Sequence, residues 1–506
     1  MIRSRWLEPL AVALILLLAA CLRLANVAVN PAWYTDEGTH LDIARHLLQG
    51  QVQYLAINQS WLLFSRLPLF EILLSGAALV GGVSMLALRT LTAGLGTITV
   101  AVLYAVMRRA TRDARLALLA ALLLAIYPAA VLYSRFGFSY NVLAPLVLIA
   151  FVGMDQYSVA HAARERNAMQ SKNARRRWLA VSALSIGLGV LSDLWMFVML
   201  APFALIVLIR RWRDVLWSVP LALLPSGAYA VVMLLTAPQP FVFDLRFVLS
   251  RVNQLPVDRQ AATLWQNVTT LAAQDAWLIA GSIGLGLLQP PRLRWIALAC
   301  FAIPIVLLGR TTALFSLSFY YLIPLLPFAA LGVASLMRYG VAWIASRFGQ
   351  RLSAALGVLM AGALLLSTFQ LVEQVQAGFH TDIDAFLLDP IAARDVAEFV
   401  NQRVTSTDLV IASPTLAWRL HANVADLQMP IAYRGQATPH LPGNIPAGRW
   451  AFDPSLEQAR FVIVDNLWRN WAVPNVPGVS EMLQEIEAWP IVFRSGEVMV
   501  YQNPEE

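Results

Sequence analysis

Two adjacent carboxylates, Asp36 and Glu37, lie in the most chemically suggestive stretch of the chain, Asn30-Pro-Ala-Trp-Tyr-Thr-Asp-Glu-Gly-Thr-His-Leu-Asp-Ile-Ala44. They follow Thr35, a residue type that caps helix N-termini, and acidic side chains also suit the positive end of a helix dipole. Capping explains part of the pattern. It does not explain a long loop that sets two carboxylates directly after an apolar run. A carboxylate held in a low-dielectric cleft takes the proton of a hydroxyl, which makes Asp36 and Glu37 the candidate catalytic residues. His40 follows Asp36 by four positions, on the same face of a helix. With Asp42 it adds hard donor atoms, although a solvated helix face accounts for them equally well. A divalent metal on this set is conceivable but not favoured, and no cofactor is expected.

Three arginines are candidates to hold a phosphate. Arg23 lies near the end of the first apolar run, Arg66 precedes Leu67-Pro68, and Arg135 lies in Tyr133-Ser-Arg-Phe-Gly-Phe-Ser-Tyr-Asn141. A guanidinium fork grips phosphate with two parallel bonds; a salt bridge to the acidic pair or to a lipid headgroup is the plainer use. Glu71, inside an apolar run, faces a cavity or an interface.

These residues need a scaffold, and composition defines it. The chain has 506 residues, 58% hydrophobic and 13% charged, with a mean hydropathy of +0.62. Soluble domains carry about 25% charged residues, so a cytosolic protein and a disordered one are both excluded. A polytopic membrane protein remains. The net charge of +7 belongs to cytoplasmic loops and implies no nucleic-acid partner. Cys21 and Cys300 lie within apolar runs and offer no disulfide framework.

The first apolar run, Leu7 to about Val29, follows Arg3 and Arg5 and lacks a cleavage site, so it reads as a membrane helix with its N-terminus cytoplasmic. Further runs extend to about residue 372. Basic clusters at Arg108–Arg115, Arg164–Arg177, Arg210–Arg213, Arg292–Arg294 and Arg338–Arg351 mark the cytoplasmic side. Parity then requires that one of the runs 68–88 and 89–107 does not cross. The first, which follows Pro68 and breaks at Gly81-Gly82, reads as an interfacial or re-entrant helix. The expected fold is mainly α, a polytopic helical bundle of about eleven spans over residues 1–377, with a first outer loop over 30–88. From about Gly378 polar residues, Pro and Gly rise. An amphipathic helix over Ile391–Arg403, strands at Leu409–Ala412 and Phe461–Val464, and a hairpin around Ser495-Gly496 predict a soluble extracytoplasmic α/β domain over 378–506.

Together these features resemble the polyprenyl-phosphate-dependent membrane glycosyltransferases of the GT-C class. The likeness is greatest to the protein O-mannosyltransferase and lipid A aminoarabinose transferase superfamily, over roughly residues 7–340. Asp36-Glu37 after the first helix, with Ala44 and Gly50, stands where the family has its acidic pair. Arg23 matches an arginine such proteins often carry. Arg66-Leu-Pro-Leu69 is similar to a basic-Pro-Pro-Leu stretch, with Leu67 for the first proline. Leu88-Arg89, Tyr104 and Arg108-Arg109 follow the next helix. Tyr320-Tyr-Leu-Ile-Pro-Leu-Leu-Pro327 resembles a late family segment that usually begins with arginine. Asn141 replaces an acid that many relatives carry after the second-loop arginine, which favours a single-base, metal-free mechanism. Asn141 and Tyr320 join His40 and Glu71 as possible site-lining residues.

The resemblance implies a lipid-linked donor, a polyprenyl-phosphate sugar, in a bacterial plasma membrane. The acceptor, a protein, lipid or glycan hydroxyl on the outer face, attacks with inversion while Asp36 takes its proton. Arg66, Arg135 and Arg23 would neutralise the leaving phosphate. The rival readings are a transporter or flippase for lipid-linked sugars, which would not need the acidic pair, and a catalytically inactive binding protein on the same scaffold.

Overall fold

The computed structural model describes residues 7–50, 67–162, 168–251, 255–311, 319–379 and 384–505. The chain opens with α1 (Leu7–Leu24), whose Leu10, Leu14 and Leu17 point outward while Ala19, Leu22 and Arg23 are buried. The first loop carries strand β1 (Trp33–Tyr34) and α2 (Thr35–Leu48). There follow α3 (Pro68–Gly81), α4 (Met85–Thr111), α5 (Ala114–Ile126), α6 (Pro128–Ser134), α7 (Tyr140–Ala162) and α8 (Ala168–Val190). Then come α9 (Leu200–Thr236), α10 (Pro238–Arg251), α11 (Val257–Gln274), α12 (Ala276–Leu285), α13 (Pro291–Gly309), α14 (Leu326–Phe348) and α15 (Gln350–Ala377).

Local chemistry sets the breaks. Ser84 accepts from the Ala87 N–H and starts α4, and Asp113 accepts from the Arg115 and Leu116 N–H groups and starts α5. Pro128 opens α6, which turns 59° from α5. Arg211 is non-helical (φ −164°, ψ 102°) and splits α9.

Side-chain contacts sort the helix ends into two groups. At one end Glu8 meets Arg108, Asp113 meets Arg338, Asp155 meets Arg292, and Arg175 meets Asp214. At the other end Arg23, Arg89, Arg135 and Asp193 gather, Asn30 bonds the Gln374 and Val375 carbonyls, and Arg449 bonds Asp244. Among the described residues seven helices are long and apolar enough to cross a membrane, eight with the bent pair α5–α6. That measure passes over α8, which contains Arg175–Arg177, and α12, which has ten residues. It also takes residues 194–236 as one segment despite the break at Arg211. Traced end to end, α1, α4, α5, α7, α8, the two halves of α9, α12, α13, α14 and α15 alternate between the two groups. They make eleven segments, counting both halves of α9, against seven or eight helices long and apolar enough to cross a membrane by themselves. Helix α3 has 14 residues, about 21 Å long, and does not cross. Its start bonds to Leu191 and its end feeds α4, both at the second end. The break falls at Gly82 (φ +71°), so α4 starts at Met85, four residues ahead of the expected Arg89.

Beyond Gly378 the chain builds an α/β layer. Strand β2 (Leu387–Leu388) pairs antiparallel with β1. Helix α16 (Pro390–Asn401) and short α17 (Pro414–Ala417) accompany β3 (Leu409–Ile411), β4 (Asn423–Ala425), β5 (Ala459–Val464), β6 (Ile491–Ser495) and β7 (Val498–Gln502). The sheet order is β4-β3-β5-β7-β6, with β4, β3 and β5 parallel and β5-β7-β6 antiparallel. The predicted helix, both predicted strands and the hairpin are present; β1, β2 and β4 were not anticipated.

Candidate active site

Helix α2 brings the acidic pair to the second end of the bundle. Its N-cap is Tyr34, one residue earlier than the expected Thr35, and the Tyr34 N–H donates to Glu37 Oε2 at 2.8 Å. Glu37 is fully buried. Arg89, five residues into α4, grips it with two bonds, Nε to Oε1 at 2.7 Å and Nη2 to Oε2 at 2.6 Å, and the Gly137 N–H adds a third at 2.7 Å. The other Arg89 donors go to the carbonyls of Val27, Pro31 and Ala32. All five guanidinium N–H groups are therefore used. This gives Glu37 a different part from the one its sequence position suggested. With four donors on it, this carboxylate ties together the first loop, α4 and the 135–138 turn.

Asp36, one residue before it, turns about 100° away around the helix and is half-buried. Its charge bears on Tyr140 and Tyr321, as does that of Asp193. Tyr140, Tyr320 and Tyr321 lie against one another, with ring centres 4.7 to 6.1 Å apart. Tyr320 also stacks on Phe138 at 5.3 Å, and Phe138 meets Tyr34 at 5.1 Å. A tyrosine-rich wall thus borders α2 where Asp36 emerges.

The arginines are placed differently from the expectation of free phosphate forks. Arg23 is 1% exposed and donates to the carbonyls of Ala19, Leu124 and Ala125. Arg135 is fully buried and donates to the carbonyls of Leu22, Arg23 and Asn30. Burial, with the nearby charge of Arg89, lowers its guanidinium to about 10, so it stays cationic at neutral pH. Both terminal nitrogens of each side chain are committed to the main chain: Arg23 ties the end of α1 to the end of α5, and Arg135 ties the turn after α6 to α1 and to Asn30 of the first loop. Arg66 lies outside the described residues. Asn141, 2% exposed, donates to the carbonyls of Tyr133, Phe136 and Phe138. It pins the turn that offers Gly137 to Glu37, and an acid there could not donate those bonds. His40 Nδ1 and Glu71 Oε1 meet at 2.6 Å, both side chains buried, with the His40 ring 4.7 Å from Phe70; they clamp α2 to α3. Among the described residues no three His, Cys, Asp or Glu side chains are arranged to hold a metal.

Sequence reasoning missed Arg89 and Asp193 as parts of this site. The signal for Arg89 was an arginine early in an apolar helix, where burial demands a partner. Asp193 lies between α8 and α9. It accepts from the Trp195 N–H at 2.8 Å and from Ser139 Oγ at 3.2 Å, beside the tyrosines.

Residues 12–237 match the sequence profile of the dolichyl-phosphate-mannose-protein mannosyltransferase family. No curated protein sequence matches the chain. The whole fold is similar to that of ArnT from Cupriavidus metallidurans, solved bound to undecaprenyl phosphate. The TM-score is 0.68 at 15% identity, over 97% of each chain. The apo form of that protein matches with a TM-score of 0.68 at 14% identity, over 99% of this chain and 98% of the other. An oligosaccharyltransferase from Archaeoglobus fulgidus matches with a TM-score of 0.52 at 12% identity, over 90% of this chain and 68% of that one. All are GT-C glycosyltransferases.

Proposed function

From a chain with the GT-C fold whose N-terminal half matches the mannosyltransferase family, we infer a membrane glycosyltransferase. It moves a sugar from a polyprenyl-phosphate donor to an acceptor hydroxyl. The observation that carries the residue-level reading is the division of labour within the acidic pair. Glu37 is saturated by Arg89, Gly137 and Tyr34, while Asp36 stands half-buried beside the tyrosine wall. Asp36 takes the proton of the acceptor hydroxyl as its oxygen attacks the anomeric carbon. The bond to the phosphate breaks, the polyprenyl phosphate leaves, and the configuration inverts. Preorganised charge is the larger part of such catalysis. Arg66 is the proposed direct phosphate contact, and Arg23 and Arg135 contribute fixed positive charge from behind the first loop.

The test uses purified protein and radiolabelled polyprenyl-phosphate sugars, scoring transfer and hydrolysis. Asp36→Asn should lower turnover about 100-fold or more without moving the melting temperature. An Asp36→Asn protein with wild-type turnover removes Asp36 as the base. A wild-type protein that neither transfers nor hydrolyses any polyprenyl-phosphate sugar removes the transferase reading itself.

A further inference from the structure

Away from Asp36, Arg394 and Arg419 converge where the described residues supply no negative partner. Arg394 projects exposed from α16, and Arg419 follows α17. Each guanidinium carbon stands 5.8 Å from the centre of the Trp33 ring. Arg419 also lies over Trp418 at 5.1 Å, and the two indoles are 5.7 Å apart. Cation–ring contacts steady both arginines but leave their N–H donors unmet. The Arg419 Nε and Trp418 Nε1 groups are buried donors without an acceptor, and Trp418 is only 8% exposed. Burial, then the charge of Arg394, holds the Arg419 guanidinium below its usual pKa.

Neighbouring acids do not relieve this. Asp42 is taken by Arg45, which also donates to the Trp418 and Leu420 carbonyls. Asp395 accepts from Ser495. Glu398 shares a shallow surface depression with Arg419 and His421 but forms an ion pair with neither arginine. Unmet buried donors and juxtaposed like charges are both costly. One acceptor-only, negatively charged group would answer both, and a guanidinium fork fits the oxygens of a phosphate.

We propose that Arg394, Arg419 and the Trp418 N–H form a binding site for a phosphate oxyanion, carried by a membrane lipid headgroup. The lipid is argued from the apolar core to which the two indoles belong. Trp33 and Trp418 share a core with Phe70 and Leu74 of α3. The far face of α3 leaves Ile72 60%, Leu79 75% and Val80 93% exposed, an apolar surface for acyl chains. Tryptophan is also the residue that gathers at the membrane–water boundary. The site does not depend on the glycosyltransferase reading.

The test titrates the full-length protein, in neutral detergent, with phosphatidylglycerol, phosphatidylcholine or inorganic phosphate. Bound molecules are counted by native mass spectrometry. Arg394→Glu reverses one exposed charge of the site. Arg403→Glu makes the same change nearby, where the guanidinium lies over Phe399 instead. The tightest phosphatidylglycerol step should weaken about tenfold or more in Arg394→Glu and hold in Arg403→Glu, with phosphatidylcholine unaffected in both. Arg394→Gln should move in the same direction, and Trp418→Phe should weaken binding while keeping the ring. Equal phosphatidylglycerol affinity in wild type and Arg394→Glu, at unchanged melting temperature, overturns the site. A loss seen with inorganic phosphate alone overturns the lipid assignment.

Discussion

Asp36 and Glu37 are neighbours in sequence, yet their surroundings differ: Glu37 is fully buried and Asp36 half-buried. Glu37 and Arg89 are both fully buried and bonded through two contacts. Removing one member of such a pair strands the other charge, at a cost of about 3–5 kcal/mol. Glu37→Gln should therefore lower the melting temperature and the turnover together, because the first loop and the 135–138 turn lose their common anchor. Asp36→Asn should lower turnover alone. Measuring both quantities on the same preparations separates the roles; a Glu37→Gln protein that is stable but inactive would return Glu37 to the chemistry. The acidic pair itself was legible from residue type and placement. The division within it was not, because it depends on Arg89, 52 positions away, and helical periodicity carries no record of which buried arginine meets which carboxylate. The same holds for Arg23 and Arg135. Their charge was visible, whereas the carbonyls that consume their donors come from α1, from the end of α5 and from Asn30, up to 113 positions away.

Elements hold the site through close backbone approach. A Cβ on Gly38 would meet the Pro414 carbonyl oxygen and lie 2.6 Å from Thr415 Cα, so α2 touches α17 with no room for a side chain. Gly38→Ala must push the two apart, at a cost of about 1–3 kcal/mol. It should speed protease cleavage between α15 and α16, since β1 and β2 pair across the same junction. Unchanged cleavage kinetics would mean that the contact is not what fastens the α/β layer. Helices, hairpin and basic clusters were legible because each is a local pattern. The pairing of β1 with β2 joins residues 33–34 to residues 387–388, and two-residue strands carry no periodicity. Within the layer, Asp426 and Asp465 follow the parallel strands β4 and β5 and are buried. Burial pushes the Asp426 carboxyl up to about 7 and that of Asp465 up to about 6. An acid whose pKa is raised by folding contributes most below its unfolded value near 4, and that contribution is lost as pH rises through its folded pKa. Asp426→Asn cannot ionise. Its stability relative to wild type should grow by about 2 kcal/mol between pH 5 and pH 8, seen as a widening gap in melting temperature. A constant gap would show that Asp426 is charged at both pH values.

Across the whole molecule the charges are unevenly shared. One end of the bundle carries Arg108, Arg109, Arg112, Arg115, Arg176, Arg177, Arg213 and Arg347, most with exposed or half-exposed side chains. The other carries Arg23, Arg89 and Arg135, all buried and bonded to carbonyls or to Glu37, and fewer exposed or half-exposed ones, Arg246, Arg259 and Arg310. Arginines consumed inside the fold do not weigh on insertion as loop charges do. The buried arginines thus do not offset the excess at the basic end. The basic end should be cytoplasmic, and Asp36 with the α/β layer should face the opposite side. The eleven passes traced through the helix ends agree, because an odd number puts the N-terminus and the C-terminal layer on opposite sides. With Cys21 and Cys300 replaced, a cysteine at Arg176 should react with an impermeant reagent only after the cells are opened. One at Glu497, exposed beyond the β6–β7 turn, should react in intact cells or spheroplasts. If position 176 is labelled first, the bundle is inverted and Asp36 faces the cytoplasm. If both positions are labelled in intact cells, the number of passes is even, and α12, the shortest of them, is the pass to remove.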